Sequence, residues 1–152
     1  MLEVTVRTHV DAPPERVWGL IGDPTRMGEW SPECQRVEWR GASRAPAVGA
    51  TFRGHNRLGW RRWTTTGRVV ELEPGRTIAW DVSLVLPVAR WTYRVEPADG
   101  AGCTLEETFT DQRGAVIKAL GTLGRGVTDV EAHNRRGMEA TLARIRAAAE
   151  GH

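Results

Sequence analysis

Residues Leu2 to Val10 set Val4, Val6, Thr8 and Val10 against Thr5, Arg7 and His9. An alternation of period two predicts a strand with one buried face. The pattern changes at Asp11-Ala12-Pro13-Pro14-Glu15, where Asp11 is placed to cap a helix and the prolines suit a first turn. Val17, Leu20 and Ile21 follow at helical spacing, which predicts a short helix from about Pro13 to Ile21. Asp23-Pro24 repeats the start signal, Met27 and Trp30 lie one helical turn apart, and Ser31-Pro32 ends a second small helix.

From Glu33 to Thr110 the chain reads as a meander. Strands are predicted over Gln35–Arg40, Ala50–Arg57, Arg61–Leu72, Thr77–Leu84, Ala89–Glu96 and Thr104–Thr110, separated by turn clusters such as Leu58-Gly59 and Glu73-Pro74-Gly75. The short links imply antiparallel hairpins, and with the first strand they give about seven strands. The last element is the most regular. Val127, Val130, Asn134, Met138, Thr141, Leu142, Ile145 and Ala149 recur at spacings of a helical turn, while Glu131, Arg135, Arg136, Glu139, Arg144 and Arg146 take the other face. Roughly 23 residues at ~1.5 Å each span about 34 Å, enough to cross a whole small sheet. Between the meander and this helix, Arg113–Gly126 carries Val116, Ile117, Leu120 and Leu123 among glycines, a candidate short helix acting as a flexible cover.

A chain of 152 residues fits one domain over 1–152. About 68–70% of the unfolded surface can then be buried, so folding needs no disulfide or metal. Cys34 and Cys103 lie far apart without a CxxC pair or clustered histidines and read as two buried thiols. Glu3, Arg7 and His9 interrupt the apolar N-terminus, and no apolar run approaches the ~18 residues of a membrane span, so a cytoplasmic protein with no membrane span is expected. The formal charge is only +2, from 21 basic and 19 acidic residues, and Lys118 is the sole lysine. That excess is small for a nucleic-acid domain. Trp60-Arg61-Arg62-Trp63 interleaves aromatic and guanidinium groups, but in an extended segment Trp63 and Arg62 point to opposite faces, so a core tryptophan beside a solvated arginine accounts for it. No nucleic-acid partner is expected, and a homodimer stays open.

The order of elements is that of an α+β helix-grip fold, a curved antiparallel sheet wrapped on a long C-terminal helix. The resemblance extends to residues. Val10-Asp11-Ala12-Pro13-Pro14-Glu15-Arg16-Val17-Trp18 resembles the opening of the START-like (SRPBCC) superfamily that includes polyketide cyclases and dehydrases, and Asp23-Pro24 with Glu29-Trp30-Ser31-Pro32 is similar to its second element. Val48-Gly49-Ala50-Thr51-Phe52-Arg53-Gly54 resembles its third strand, Glu71-Leu72-Glu73-Pro74-Gly75-Arg76 its turn, and Gly137 to Ile145 its closing helix. The superfamily hosts ligand carriers, cyclases, hydroxylase subunits and co-chaperones, so the resemblance implies a fold and a cavity before it implies an activity.

In such a sheet, alternation turns Phe52, Gly54, Asn56, Trp63, Thr65, Gly67, Val69, Ile78, Trp80, Val82, Trp91, Tyr93, Val95, Leu105, Glu107 and Phe109 inward. Several large aromatics among a few polar groups is the usual composition of a small-molecule site. An aromatic stripe also serves plain packing. The candidate ligand-binding residues are Phe52, Asn56, Trp63, Thr65, Trp80, Trp91, Tyr93, Glu107, Asn134 and Met138, with Trp30 bordering the entrance. Glu107 is either paired with an arginine, which lowers its pKa, or desolvated without one, which raises it. His9, His55 and His133 fall on polar faces.

No GxSxG elbow, HExxH, Walker loop or cysteine–histidine motif occurs, and Gly121 to Gly126 does not follow the dinucleotide order, so neither a metal nor a cofactor is expected. Two functions follow: a module that binds a small apolar, polyketide-like or lipid-like molecule, or a cyclase or dehydrase acting in the same cavity. The second is what the resemblance implies, with Glu107 moving a proton and Tyr93 or Asn56 polarising a carbonyl as candidate catalytic groups. The single ionisable group on the inward faces favours binding. A partner-binding co-chaperone would need an exposed apolar patch, and none is identifiable in the pattern.

Overall fold

The alternating segments form seven strands of one antiparallel sheet in a computed structural model that describes residues 2–113 and 127–151. They are β1 (Glu3–Val10), β2 (Cys34–Trp39), β3 (Thr51–Leu58), β4 (Arg61–Glu73), β5 (Thr77–Ser83), β6 (Pro87–Pro97) and β7 (Cys103–Asp111). The order across the sheet is β1-β7-β6-β5-β4-β3-β2. Consecutive hairpins build β2 to β7, and β1 returns to pair with β7 at the far edge. The connection from β1 to β2 must therefore cross the whole sheet. It does so through α1 (Pro14–Ile21), a 3₁₀ turn (Pro24–Arg26) and α2 (Met27–Trp30).

Strand bounds agree with the pattern to within a residue or two. The helix start does not: α1 is capped by the extended Pro13 with no side-chain hydrogen bond, while the Asp11 amide donates to Glu150 Oε2 at 2.8 Å. The second start signal does operate, because Asp23 Oδ1 accepts from the Thr25 amide at 2.9 Å. The cover helix predicted over Arg113–Gly126 lies, beyond Arg113, outside the described residues.

The long C-terminal helix, α3 (Val127–Glu150), packs along β1, β7 and α1. Met138, Leu142, Ile145 and Ala149 are buried on it, as the stripe predicts, whereas the side chains of Val127 and Val130 lie outside the described residues. Polar ties fix its far end. Arg16 Nη1 donates to the Ala149 carbonyl at 3.2 Å, and Arg144 Nη1 donates to the Trp30 carbonyl at 3.2 Å.

One glycine shapes the inner face. Gly67 of β4 stands opposite Phe52 of β3, and a Cβ there would lie 2.1 Å from Phe52 Cε2. Without that side chain the Phe52 ring lies across β4 and meets Trp80 of β5 edge-on, with centroids 6.0 Å apart. Gly67→Ala must displace the ring, and a destabilisation of about 1–3 kcal/mol is expected in a thermal or urea melt. Met138 is 1% exposed, so Met138→Asp places an unpaired charge in the core and should cost about 3 kcal/mol or more in urea denaturation. A Met138→Asp variant with the wild-type midpoint contradicts this placement of the helix.

Candidate functional site

One helix does not fill the inner face, and between the first half of α3 and strands β3 to β7 lies a cavity of about 300 Å³. Its largest wall groups are the rings of Phe52, Trp63, Trp80, Trp91, Tyr93 and Phe109. Trp80 stacks on Tyr93 with centroids 5.5 Å apart and an interplanar angle of 26°, and Trp91 tilts against Phe109 at 5.0 Å. Such offset and tilted pairs are the favoured ring geometries. Phe52, Asn56, Trp63, Thr65, Trp80, Trp91, Tyr93, Glu107, Asn134 and Met138 all line the cavity.

Trp30 does not line it. The indole is buried, its Nε1 donates to the Leu20 carbonyl at 3.0 Å, and the Arg26 guanidinium sits 5.5 Å over its ring. A tryptophan satisfied on both its polar and its aromatic side belongs to the packing of the small helices.

The polar groups converge where β6 and β7 pair. Tyr93 and Glu107 are cross-strand partners, and the Tyr93 hydroxyl donates to Glu107 Oε2 at 2.6 Å. Glu107 is 2% exposed, and its Oε1 is buried with no hydrogen-bond partner among the described residues. Burial pushes its pKa from 4.5 up to about 8, against the opposing pull of the Tyr93 hydrogen bond. Tyr93 is itself held well above its ordinary value, by burial first and by the neighbouring carboxyl second. Among the described residues no arginine pairs with Glu107. Arg113, the arginine in the cavity wall, is committed to Asp111, with Nη2 2.9 Å from Oδ2. At neutral pH Glu107 is therefore mainly a neutral carboxylic acid with one oxygen held by Tyr93.

Asn56 Nδ2 donates to Thr65 Oγ1 at 3.4 Å, and the Asn56 side-chain carbonyl oxygen in the same wall has no donor among the described residues. The Asn134 side chain lines the cavity and has no hydrogen bond to another described residue.

Two further placements differ from the pattern. His133, expected on a polar face, is in the cavity wall, and its Nε2 contacts Glu33 Oε1, which also belongs to the wall. Cys34 is half-buried in the wall instead of fully buried, and burial pushes its thiol up to about 11. A thiol held protonated is a poor nucleophile. His55 does face away, with Nε2 2.9 Å from Glu38 Oε1. The helix stripe marked Asn134, but the wall is wide enough to take the adjacent His133 as well. Glu33 and Arg113 sit at strand ends, where alternation gives no direction. Among the described residues, no group of histidine, cysteine or acidic side chains could hold a metal ion, and no helix is long and apolar enough to cross a membrane.

Several solved structures share this architecture. The chain is similar to XoxI from Bacillus cereus, with a TM-score of 0.74 at 17% identity, covering 98% of this chain and 96% of that one. It is similar to the Polyketide_cyc-like protein Cgl2372 from Corynebacterium glutamicum, with a TM-score of 0.60 at 28% identity, covering 99% and 94%. It is also similar to StfQ, a di-domain ARO/CYC from the steffimycin biosynthetic pathway, with a TM-score of 0.73 at 19% identity. That match covers 98% of this chain and 50% of StfQ. No curated protein matches the sequence. The helix-grip architecture is common to all three, and a family model described as polyketide cyclase / dehydrase and lipid transport matches residues 1–150. With strand order, closing helix and sequence in agreement, the chain belongs to the polyketide cyclase/dehydrase and lipid transport family.

Proposed function

We propose that the protein binds a small apolar molecule carrying at least one oxygen acceptor, and that Glu107 in its neutral form is the group that recognises that oxygen. The observation that carries this reading is Glu107 Oε1, a buried carboxyl oxygen with no partner among the described residues, set in an aromatic wall. Leaving a buried polar atom unsatisfied costs about 1–3 kcal/mol, a cost that a ligand oxygen placed against it removes. Tyr93 fixes the carboxyl by occupying Oε2, so the proton is available on Oε1. Asn134 and the Asn56 carbonyl add polar points of contact, and the rings of Trp80, Trp91 and Phe109 supply flat apolar area. A volume of about 300 Å³ suits a molecule of a few fused rings or a short branched chain.

The same site supports a second reading as a cyclase or dehydrase. A carboxylic acid with a pKa near neutrality and no cationic partner among the described residues is suited to giving and retaking a proton. The His133–Glu33 pair in the same wall supplies the second ionisable group that such chemistry uses. In that reading Glu107 protonates a carbonyl oxygen of the bound molecule while a proton leaves a neighbouring carbon to the imidazole, and Tyr93 is a positioning residue.

Binding is tested by titrating polycyclic and fatty ligands against intrinsic tryptophan fluorescence. A saturable change that weakens in Trp80→Leu and Trp91→Leu is expected, and no saturable change across a broad panel contradicts the cavity reading. If turnover is found, Glu107→Gln should lower kcat by about 10²–10⁴ with binding largely kept. Unchanged turnover removes Glu107 from the chemistry.

The raised pKa also predicts a stability profile. Below about 4.5 folded and unfolded chains both hold the proton, but between about 4.5 and 8 only the folded chain does. The unfolded state then binds fewer protons, so the Glu107 contribution to stability falls by up to about 1.4 kcal/mol per pH unit across that window and levels off above it. Urea midpoints of wild type should decline relative to Glu107→Gln from about pH 5 to about pH 8. Parallel profiles contradict a buried neutral carboxyl.

A further inference from the structure

Two hairpin tips carry apolar side chains that the core does not use. The β3–β4 turn places Leu58 at 46% and Trp60 at 86% exposure around Gly59, whose φ of +63° suits the tight reversal. The β5–β6 turn places Leu84 at 56%, Val85 at 98% and Leu86 at 53% exposure. Because β3 to β6 are successive antiparallel strands, both turns lie at the same end of the sheet. Asn56, Trp63, Val82 and Val88, which lead into these turns, line the cavity, so its wall runs up to the same end.

The charge along the β3–β4 hairpin has one sign. Residues 51–70 contain Arg53, Arg57, Arg61, Arg62 and Arg68 and no aspartate or glutamate. Arg36, His55, Arg57 and Arg62 line a shallow concavity at the foot of the first tip. Arg61 lies over the Trp60 ring at 5.6 Å, and Arg57 Nε donates to the Gly59 carbonyl at 2.9 Å, so two guanidinium groups are held at the turn itself. In contrast, Leu84 to Leu86 carry no charge at all. A second copy of this chain would bring the same positive hairpin against itself.

We infer that the two tips form a docking edge for the surface of a bilayer containing anionic lipid. Trp60, Leu58 and Leu84 to Leu86 enter the interfacial layer, where an exposed indole and short apolar side chains are favoured, and the arginines engage the headgroup phosphates. Docking is reversible, because a few side chains and no inserted helix hold it. The edge stands independently of what the cavity binds, although it would bring the cavity's end of the sheet to a reservoir of apolar molecules.

The full chain is co-sedimented with vesicles of phosphatidylcholine alone and of phosphatidylcholine with phosphatidylserine. Wild type should pellet with the anionic vesicles, pellet little with the neutral ones, and be released by salt. Trp60→Ser combined with Val85→Ser should weaken the partition at least tenfold, and Arg61→Gln and Arg62→Gln should each weaken it about fivefold. All four positions are exposed, so the variants should melt like wild type. Absence of wild-type binding at low salt overturns the inference, as does undiminished binding by the double serine variant. A concentration-dependent dimer in sedimentation velocity that the serine variant abolishes assigns the tips to a second copy and also overturns it. Ligand titration of the same double variant keeps the two readings apart, since its cavity should respond as in wild type.

Discussion

A seven-stranded sheet offers more inward surface than one helix can cover, and the rest of the architecture answers that mismatch. Six inter-strand gaps of about 4.8 Å make a face nearly 29 Å wide, whereas a helix with its side chains is about 10–12 Å across. The protein closes part of the difference by seating the second half of α3 on β1 and β7, where Leu142, Ile145 and Ala149 meet a solid core. The small helices, pinned by Trp30, cover another part. What is left, over β3 to β6, is walled by rings large enough to span the gap without filling it. Gly67 belongs to the same solution, because its missing side chain lets Phe52 reach over a strand to Trp80.

Within that space a carboxylic acid behaves unlike its counterparts on the surface. Glu106, the next residue, lies on the outer face of β7 and pairs with Arg7 at 2.6 Å. Glu107 points inward, is buried, and among the described residues has a phenol in place of a cation. The alternation of the strand thus sends two adjacent glutamates to opposite faces, one to an arginine on the outer face and one to a phenol in the interior. Tyr93 does not compensate the burial fully. It fixes one oxygen and leaves the other for whatever occupies the cavity.

Periodicity made most of this legible. The strands, the closing helix and the inward set from Phe52 to Phe109 follow from alternation and turn chemistry, and so does the pairing of Tyr93 with Glu107 on one face. Motif resemblance led to the same fold from different residues. Trp30, Glu33 and Cys34 sit at a helix end and a strand end, where the direction of a side chain depends on which distant element packs there, while His133 lies within α3 beside the stripe that marks Asn134. Nothing in the local pattern places His133 of α3 beside Glu33 before β2, 100 residues away in sequence. At the second tip the pattern carries the strand through Leu84, whereas β5 ends at Ser83 and Leu84 to Leu86 form the turn.

The proposed recognition of a ligand oxygen depends on a carboxyl group that stays protonated at neutral pH inside the folded protein. Infrared difference spectroscopy between wild type and Glu107→Gln reads that state directly, through the carbonyl stretch of a protonated carboxylic acid. The band should be present in wild type at neutral pH, absent in the variant, and lost in a titration centred at about pH 8. A wild-type spectrum with no such band at neutral pH, or one whose band has already gone by the ordinary carboxylate range, contradicts the account.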